Sequence, residues 1–415
     1  MSSISSSSAL LAQRPFVFMW LSRVASGIGI QMLALTIAWK LYQITDSAFA
    51  LGLIGLTQFM PSALFTLLIG HVADRYDRRL IIRLAQSISA IAAAVVTVAL
   101  FTGTVSPEIL YTAVFLIGCA RAFEGPTTSA LVPSLVPTPL VTRAVAGWAS
   151  ANQIAVICGP ALGGLIYAVA PVAVSTLCVV FFVGAITCVS LMHIERVVPD
   201  KREPPTLKSA LAGFHYVLGR KRLLGTITLD LFVMLLGGAT ALLPIYARDI
   251  LMVGPIGLGL LRSAPAAGAL LSAFWLSHHP VERRVGVKLF SVVAIFGLST
   301  IVFALSHSFL LSLAALAVLG AADAVSVVIR FSLVQLETPD AMRGRVSAVN
   351  YLFVASSNTL GEFESGTVAA LLGAVPSALI GGIGSLAVAL IWMFLFPDLR
   401  KVDRYDIADE REQKT

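Results

Sequence analysis

Apolar residues fall into twelve blocks, at about 16–39, 49–70, 80–101, 109–131, 145–168, 171–193, 223–246, 255–277, 286–306, 309–331, 347–371 and 375–396, with polar and charged residues gathered at the block ends. Each block is about the ~20 residues that an α-helix needs to cross a hydrocarbon core, whereas a barrel strand would be half as long and would alternate. Blocks five and six are separated only by Ala170-Pro171, and blocks eleven and twelve by a turn at Pro376, so both joints are expected to be tight hairpins. The pattern predicts an all-α polytopic membrane protein with twelve transmembrane helices.

Composition agrees with the pattern. The chain is 57% hydrophobic and 12% charged, with a mean hydropathy of +0.89, against about a quarter charged in a soluble domain. The net charge of +7 does not point to nucleic acid, because the basic residues sit at block ends and not on one face. Their placement sets an orientation instead. With the N-terminus in the cytoplasm, only Lys40 and Arg248 face outward; Arg23, Arg121, Arg262 and Arg330 lie within the spans, and the rest of the 29 Lys and Arg fall on inner loops, inner block ends and tails. That satisfies the positive-inside rule and puts both termini of a multi-pass inner-membrane protein in the cytoplasm.

Two echoes suggest an internal duplication. Asp77-Arg78-Arg79-Leu80-Ile81-Ile82-Arg83-Leu84 recurs as Glu282-Arg283-Arg284-Val285-Gly286-Val287-Lys288-Leu289, and Pro137-Thr138-Pro139 with Arg143 recurs as Glu337-Thr338-Pro339 with Arg343. The expected organisation is an N-terminal six-helix bundle over 1–193, a basic cytoplasmic linker over 194–222, and a C-terminal six-helix bundle with its tail over 223–415. The two bundles are pseudo-symmetric, related by an axis along the membrane normal. Within the linker, Leu207 to Leu218 forms either a short amphipathic helix on the inner leaflet or a plain charged connection.

The motifs now on the page resemble those of the major facilitator superfamily of transporters. Gly70-x-x-x-Asp74-Arg75-x-x-Arg78-Arg79 is similar to the family's loop between spans two and three, with Asp77 where a glycine is usual. Arg121-x-x-Glu124-Gly125-Pro126 is similar to its span-four motif, and Gly159-Pro160-Ala161-Leu162-Gly163-Gly164 to the span-five motif common in its exporters. Ala341-Met342-Arg343-Gly344-Arg345-Val346 and Gly361-Glu362-Phe363-Glu364-Ser365-Gly366 resemble the branch of enterobactin-type siderophore exporters and macrolide or multidrug efflux proteins. The resemblance implies a secondary transporter working by alternating access, in which a loop of Gly70, Asp74, Arg75, Arg78 and Arg79 serves as the cytoplasmic gate.

The residues themselves leave alternatives open. Asp74 stands where an acid can accept hydrogen bonds from a helix terminus while arginines pair with it; a solvated loop accounts for the arginines but not for Asp74 or Asp77. Gly159, Gly163 and Gly164 allow close helix approach and Pro160 removes a backbone donor, which suits a rocking element or simple packing.

Charges inside the blocks carry more chemistry, since each costs at least about 2.5–3.5 kcal/mol in hydrocarbon unless a cavity or partner receives it. Arg121 and Asp323 fall near mid-span at equivalent places in spans four and ten; Arg23, Glu124 and Asp230 lie in the cytoplasmic halves, and Glu362 and Glu364 in the outer half of span eleven. With Gln31, these form the expected substrate and proton pathway. Glu124 and Asp323 lead as proton carriers, followed by Asp230, with Glu362 or Glu364 serving a proton taken from outside. Permanent structural pairing is the alternative for Glu124 and Asp323. Arg121 and Glu124, three apart, share a helix face. Arg330 and Arg262 are expected to snorkel to opposite surfaces.

No histidine pair has metal-ligand spacing, no catalytic constellation is found, and no Gly-x-x-x-x-Gly-Lys-Ser/Thr loop occurs. The expectation is therefore a monomeric proton-coupled exporter of a small amphipathic molecule, a siderophore-like compound or a drug. It needs no metal or cofactor, partners no nucleic acid, sits in lipid and is not an enzyme. A facilitator or importer of a metabolite, or a non-transporting receptor, is the competing expectation.

Overall fold

The computed structural model describes residues 10–192 and 207–405; within these, the side chains of 66–71, 73, 74, 207–211 and 341 are not described. Among the described residues the chain is helical and contains no strand. The helices are α1 (Arg14–Thr45), α2 (Ala48–Arg75), α3 (Arg78–Thr102), α4 (Pro107–Leu131), α5 (Val141–Val169), α6 (Pro171–Leu191), α7 (Lys221–Leu236), α8 (Gly254–His278), α9 (Val285–Leu305), α10 (Phe309–Leu336), α11 (Asp340–Leu372) and α12 (Ala374–Leu395). A separate linker helix spans Leu207–Leu218.

Eleven membrane-spanning segments, counted among the described residues, are long and apolar enough to cross a bilayer. The twelfth predicted span lies in α11, which is long enough at 33 residues. Asn350, Asn358, Glu362, Glu364 and several serines and threonines keep α11 below that apolarity.

Local chemistry explains the helix ends. Pro107 and Pro171 open α4 and α6, where a missing N–H costs nothing. Asp77 caps α3 by accepting from the Arg79 amide at 2.9 Å. Ala170 ends α5 and begins α6, giving the tight joint expected there. The joint between α11 and α12 differs from expectation. It turns at Gly373, whose φ of +96° suits only glycine, while Pro376 sits inside the first turn of α12, where it is tolerated. Block seven is also not one continuous α-helix. After Leu236 it breaks at Gly237-Gly238 and continues through Ala239–Leu242, Leu243–Ile245 and a wider turn at Tyr246–Ile250.

The described residues form two compact units: 10–46, 57–192 and 253–263 in the first, and 47–56, 207–252 and 264–405 in the second. In the first, α1 packs on α5 and α6, and α3 on α4 and α6; in the second, α7 packs on α11 and α12, and α9 on α10 and α12. One packing scheme thus serves in both units.

The linker helix lies in the second unit and packs there. Phe214 stacks on Phe353 with centroids 6.4 Å apart, and Val217 is buried with Leu223, Ile227, Val334, Val346 and Val349. Its apolar face meets α7, α10 and α11 rather than lipid alone. The preceding linker residues 194–206 lie outside the described residues.

Candidate functional site

The second unit concentrates three charges. Asp230, on α7, is buried and forms an ion pair with Arg330 Nη1. Asp323 Oδ1 lies 3.6 Å from Arg330 Nη2, and its side chain is 36% exposed against 7% for Asp230. The Arg330 Nε donates to the Ser326 carbonyl at 3.3 Å. A small cavity opens on this group, walled by Leu229, Val233 and Phe296. Two carboxylates share one guanidinium, so the cluster carries a surplus negative charge that a proton on one acid would cancel.

Arg330 corrects an expectation. Sequence depth suggested that it snorkels to a surface, but only 9% of it is accessible. The ion pair with Asp230 offsets the cost of burying the charge. One signal was present: Arg330 follows Asp323 by seven residues, two helical turns, which puts both on one face of α10.

The first unit holds a different arrangement. Glu124 on α4 is buried, and its Oε1 accepts from Gln86 Nε2 at 3.2 Å; the same nitrogen donates to Ser22 Oγ at 2.9 Å. Gln86, 1% exposed on α3, was missed by sequence reasoning, since a lone glutamine in an apolar run most often serves helix packing. Arg121 is exposed on the same helix as the buried Glu124. On α1, Arg23 Nη2 donates to Asn152 Oδ1 of α5 at 2.8 Å. The guanidinium lies 5.2 Å from the centroid of the Trp148 ring. Trp20 Nε1 donates to the Gly147 carbonyl at 2.9 Å, bracing the same α1–α5 seam.

Gln31 also belongs to this seam: a Cβ on Gly159 would come within 2.6 Å of the Gln31 Cβ, and one on Gly163 within 3.1 Å of the Met32 Cα. Gly164 faces the start of α8, where a Cβ would collide with the Pro255 carbonyl and come 3.1 Å from the Gly259 Cα. Ser263 Oγ donates to the Ile157 carbonyl at 2.7 Å, securing the same α5–α8 crossing. Pro160 is buried within α5, and its carbonyl faces Gly259.

The second unit repeats this crossing between α11 and the start of α2. Gly366 and Gly52 meet backbone to backbone, a Cβ on Gly52 coming 3.0 Å from the Gly366 Cα. Glu362 packs against Gly55 one turn further along, while Glu364 Oε2 accepts from Ser365 Oγ at 3.3 Å. The two acids therefore have different surroundings, as residues two apart on a helix must.

Around the junction of α2 and α3, Gly70 and Asp74 are helical, and their side chains lie outside the described residues. Arg75 is exposed at the end of α2. Arg78 Nη1 donates to the Ala130 carbonyl and Arg79 Nη1 to the Met192 carbonyl, each at 2.9 Å. The two arginines thus fasten the start of α3 to the C-terminal ends of α4 and α6, where cations suit the helix dipoles. Arg79 also pairs with Asp77 at 3.3 Å. Burial works to raise the Asp77 pKa, but the Arg79 amide, the Arg79 guanidinium and the charges of Arg79 and Arg83 outweigh it and hold the carboxyl below its ordinary value.

The family described as transmembrane secretion effector matches residues 5–414. The enterobactin exporter EntS of Citrobacter koseri is 29% identical over 404 residues, covering 95% of this chain and 94% of its own length. The protein of the same name from Escherichia coli O1:K1 is 27% identical over 402 residues, with coverage of 95% and 94%. Among solved structures, a bacterial homologue of the iron transporter ferroportin, in an inward-facing state, superposes with a TM-score of 0.72 at 16% identity, covering 94% of this chain and 99% of that one. The POT family transporter PepTSo gives a TM-score of 0.73 at 13% identity, with coverage of 94% and 99%. At these identities the solved structures speak for the fold alone.

Proposed function

The chain belongs to the transmembrane secretion effector family, a branch of the major facilitator transporters, and we propose that it exports a small, amphipathic, siderophore-like molecule in exchange for protons. It is a multi-pass membrane transporter, not an enzyme. In this proposal it works by alternating access in the inner membrane, with both termini in the cytoplasm, as a monomer in lipid, and draws on the proton gradient rather than on a bound cofactor. The full-length similarity to enterobactin exporters supports the cargo class and the direction.

The observation that carries proton coupling is the Asp230–Arg330–Asp323 cluster. Asp230 holds the guanidinium closely, while Asp323 keeps a longer contact and more exposure, so Asp323 is the acid able to exchange a proton without breaking the pair. Glu124, bound to Gln86, is the second acid on the pathway. Arg23, Gln31 and Arg121 offer polar contacts in the first unit, and Glu362 and Glu364 serve the outer ends of the helices. Gly70, Asp74, Arg75, Arg78 and Arg79 act as the cytoplasmic gate. The α5 glycines and Pro160 form the surface on which rocking occurs.

The test is uptake of enterobactin into inside-out vesicles containing the protein. Uptake above empty vesicles that disappears with a protonophore supports both cargo and coupling. Uptake indifferent to the protonophore overturns coupling, and no uptake with well-inserted protein overturns the cargo class.

A further inference from the structure

The duplicated helices place charges at matching positions with opposite sign. Arg23 is the tenth residue of α1, counted from Arg14, and Asp230 is the tenth of α7, counted from Lys221. Arg121 is the fifteenth residue of α4, counted from Pro107, and Asp323 the fifteenth of α10, counted from Phe309. Each unit adds one counter-charge, Glu124 in the first and Arg330 in the second. The first unit's set of three therefore sums to one positive charge and the second unit's to one negative charge. In the second, the surplus suits a proton. The surplus in the first calls for an anion.

Arg23 is built to receive one. Asn152 holds one end of its guanidinium at 2.8 Å, and the Trp148 ring lies beside it, so the fork is oriented before any ligand arrives. Its Nε is buried without a hydrogen-bond partner among the described residues. Leaving such a donor unmatched is costly, and a planar anionic group engaging the Nε–Nη edge would satisfy it. Asn152 is exposed, and Arg23 and Trp148 are half-buried; the cluster is therefore reachable from one side and walled by an indole face, which favours an aromatic neighbour to the anion.

We propose that Arg23, held by Asn152 and flanked by Trp148, is the subsite that binds an aromatic carboxylate or phenolate group of the cargo. This deepens the export reading and rests on it for the word cargo, while the binding itself does not require transport.

The test uses purified protein in detergent and two probes of nearly equal shape, 2-naphthoate and its neutral amide, 2-naphthamide, titrated by calorimetry. The parent binds the anion at least about tenfold more tightly than the amide. Arg23→Gln brings the two affinities within about twofold while amide binding is retained, whereas Arg143→Gln, which removes one charge near the start of the same α5 helix, keeps the preference. Should Arg23→Gln fail to fold, Trp148→Leu leaves the guanidinium in place and weakens both probes together by about fivefold or more. The proposal is overturned if the parent shows no preference for the anion, if folded Arg23→Gln retains it, or if Trp148→Leu changes neither affinity. Because neither vesicles nor a gradient are involved, this result stands apart from the outcome of the uptake experiment.

Discussion

On α10, Arg330 faces Asp323 two turns earlier, and Asp230 reaches the same guanidinium from α7. Removing the guanidinium leaves two carboxylates without their shared counter-charge. Arg330→Ala is expected to lower stability by about 3–5 kcal/mol, seen as a large fall in the melting temperature of the detergent-purified protein, with partial recovery on adding Asp230→Asn. An unchanged melting temperature in the single variant would show that the cluster is not structurally coupled. At Asp77 the effect is smaller. The pKa is lowered in the folded chain, so its stabilisation is present above the ordinary carboxylate pKa and is lost as pH falls through the lower folded value. Asp77→Ala should cost about 0.5–1 kcal/mol at pH 7, and the gap to the parent should close on acidification below about pH 4. A gap that persists in acid would assign the loss to something other than the charged cap.

Among the helices, the matched crossings carry the clearest expectation. Gly164 meets Gly259, and Gly366 meets Gly52, with no room for a side chain, whereas a Cβ on Gly184 of α6 would meet nothing within 4 Å. Gly164→Val should abolish transport or insertion, and Gly184→Val should leave both near the parent, as measured by uptake per unit of folded protein. Equal transport in the two variants would remove the crossing from the account. Element positions were largely legible in the sequence because hydrocarbon demands long apolar runs and because the Ala170-Pro171 joint marks an end by local chemistry. The α7 break and the Gly373 turn were less legible. Gly237-Gly238 lies inside an apolar run, and hydropathy records how apolar a segment is, not whether its backbone stays helical. The Asp230–Arg330 pair was hidden for another reason: block position gives depth in the membrane, but which faces of α7 and α10 meet depends on packing between residues 100 apart in the chain. The Gln86–Glu124 contact was hidden in the same way.

For the whole molecule, two units built on one packing scheme hold charge sets of opposite sum, and that difference is what the proposed exchange uses. The family places the chain among transporters; in the proposed account the arginines at the block ends orient it and the second unit's acids supply the proton step. The most direct measurement is transport of a labelled siderophore in proteoliposomes under an imposed pH gradient, comparing the parent, Asp323→Asn and Glu124→Gln at matched reconstitution. The account predicts that the parent responds to the gradient and that Asp323→Asn loses about tenfold or more of the gradient-driven component while still exchanging cargo when no gradient is applied. A parent-like response from folded Asp323→Asn would contradict it.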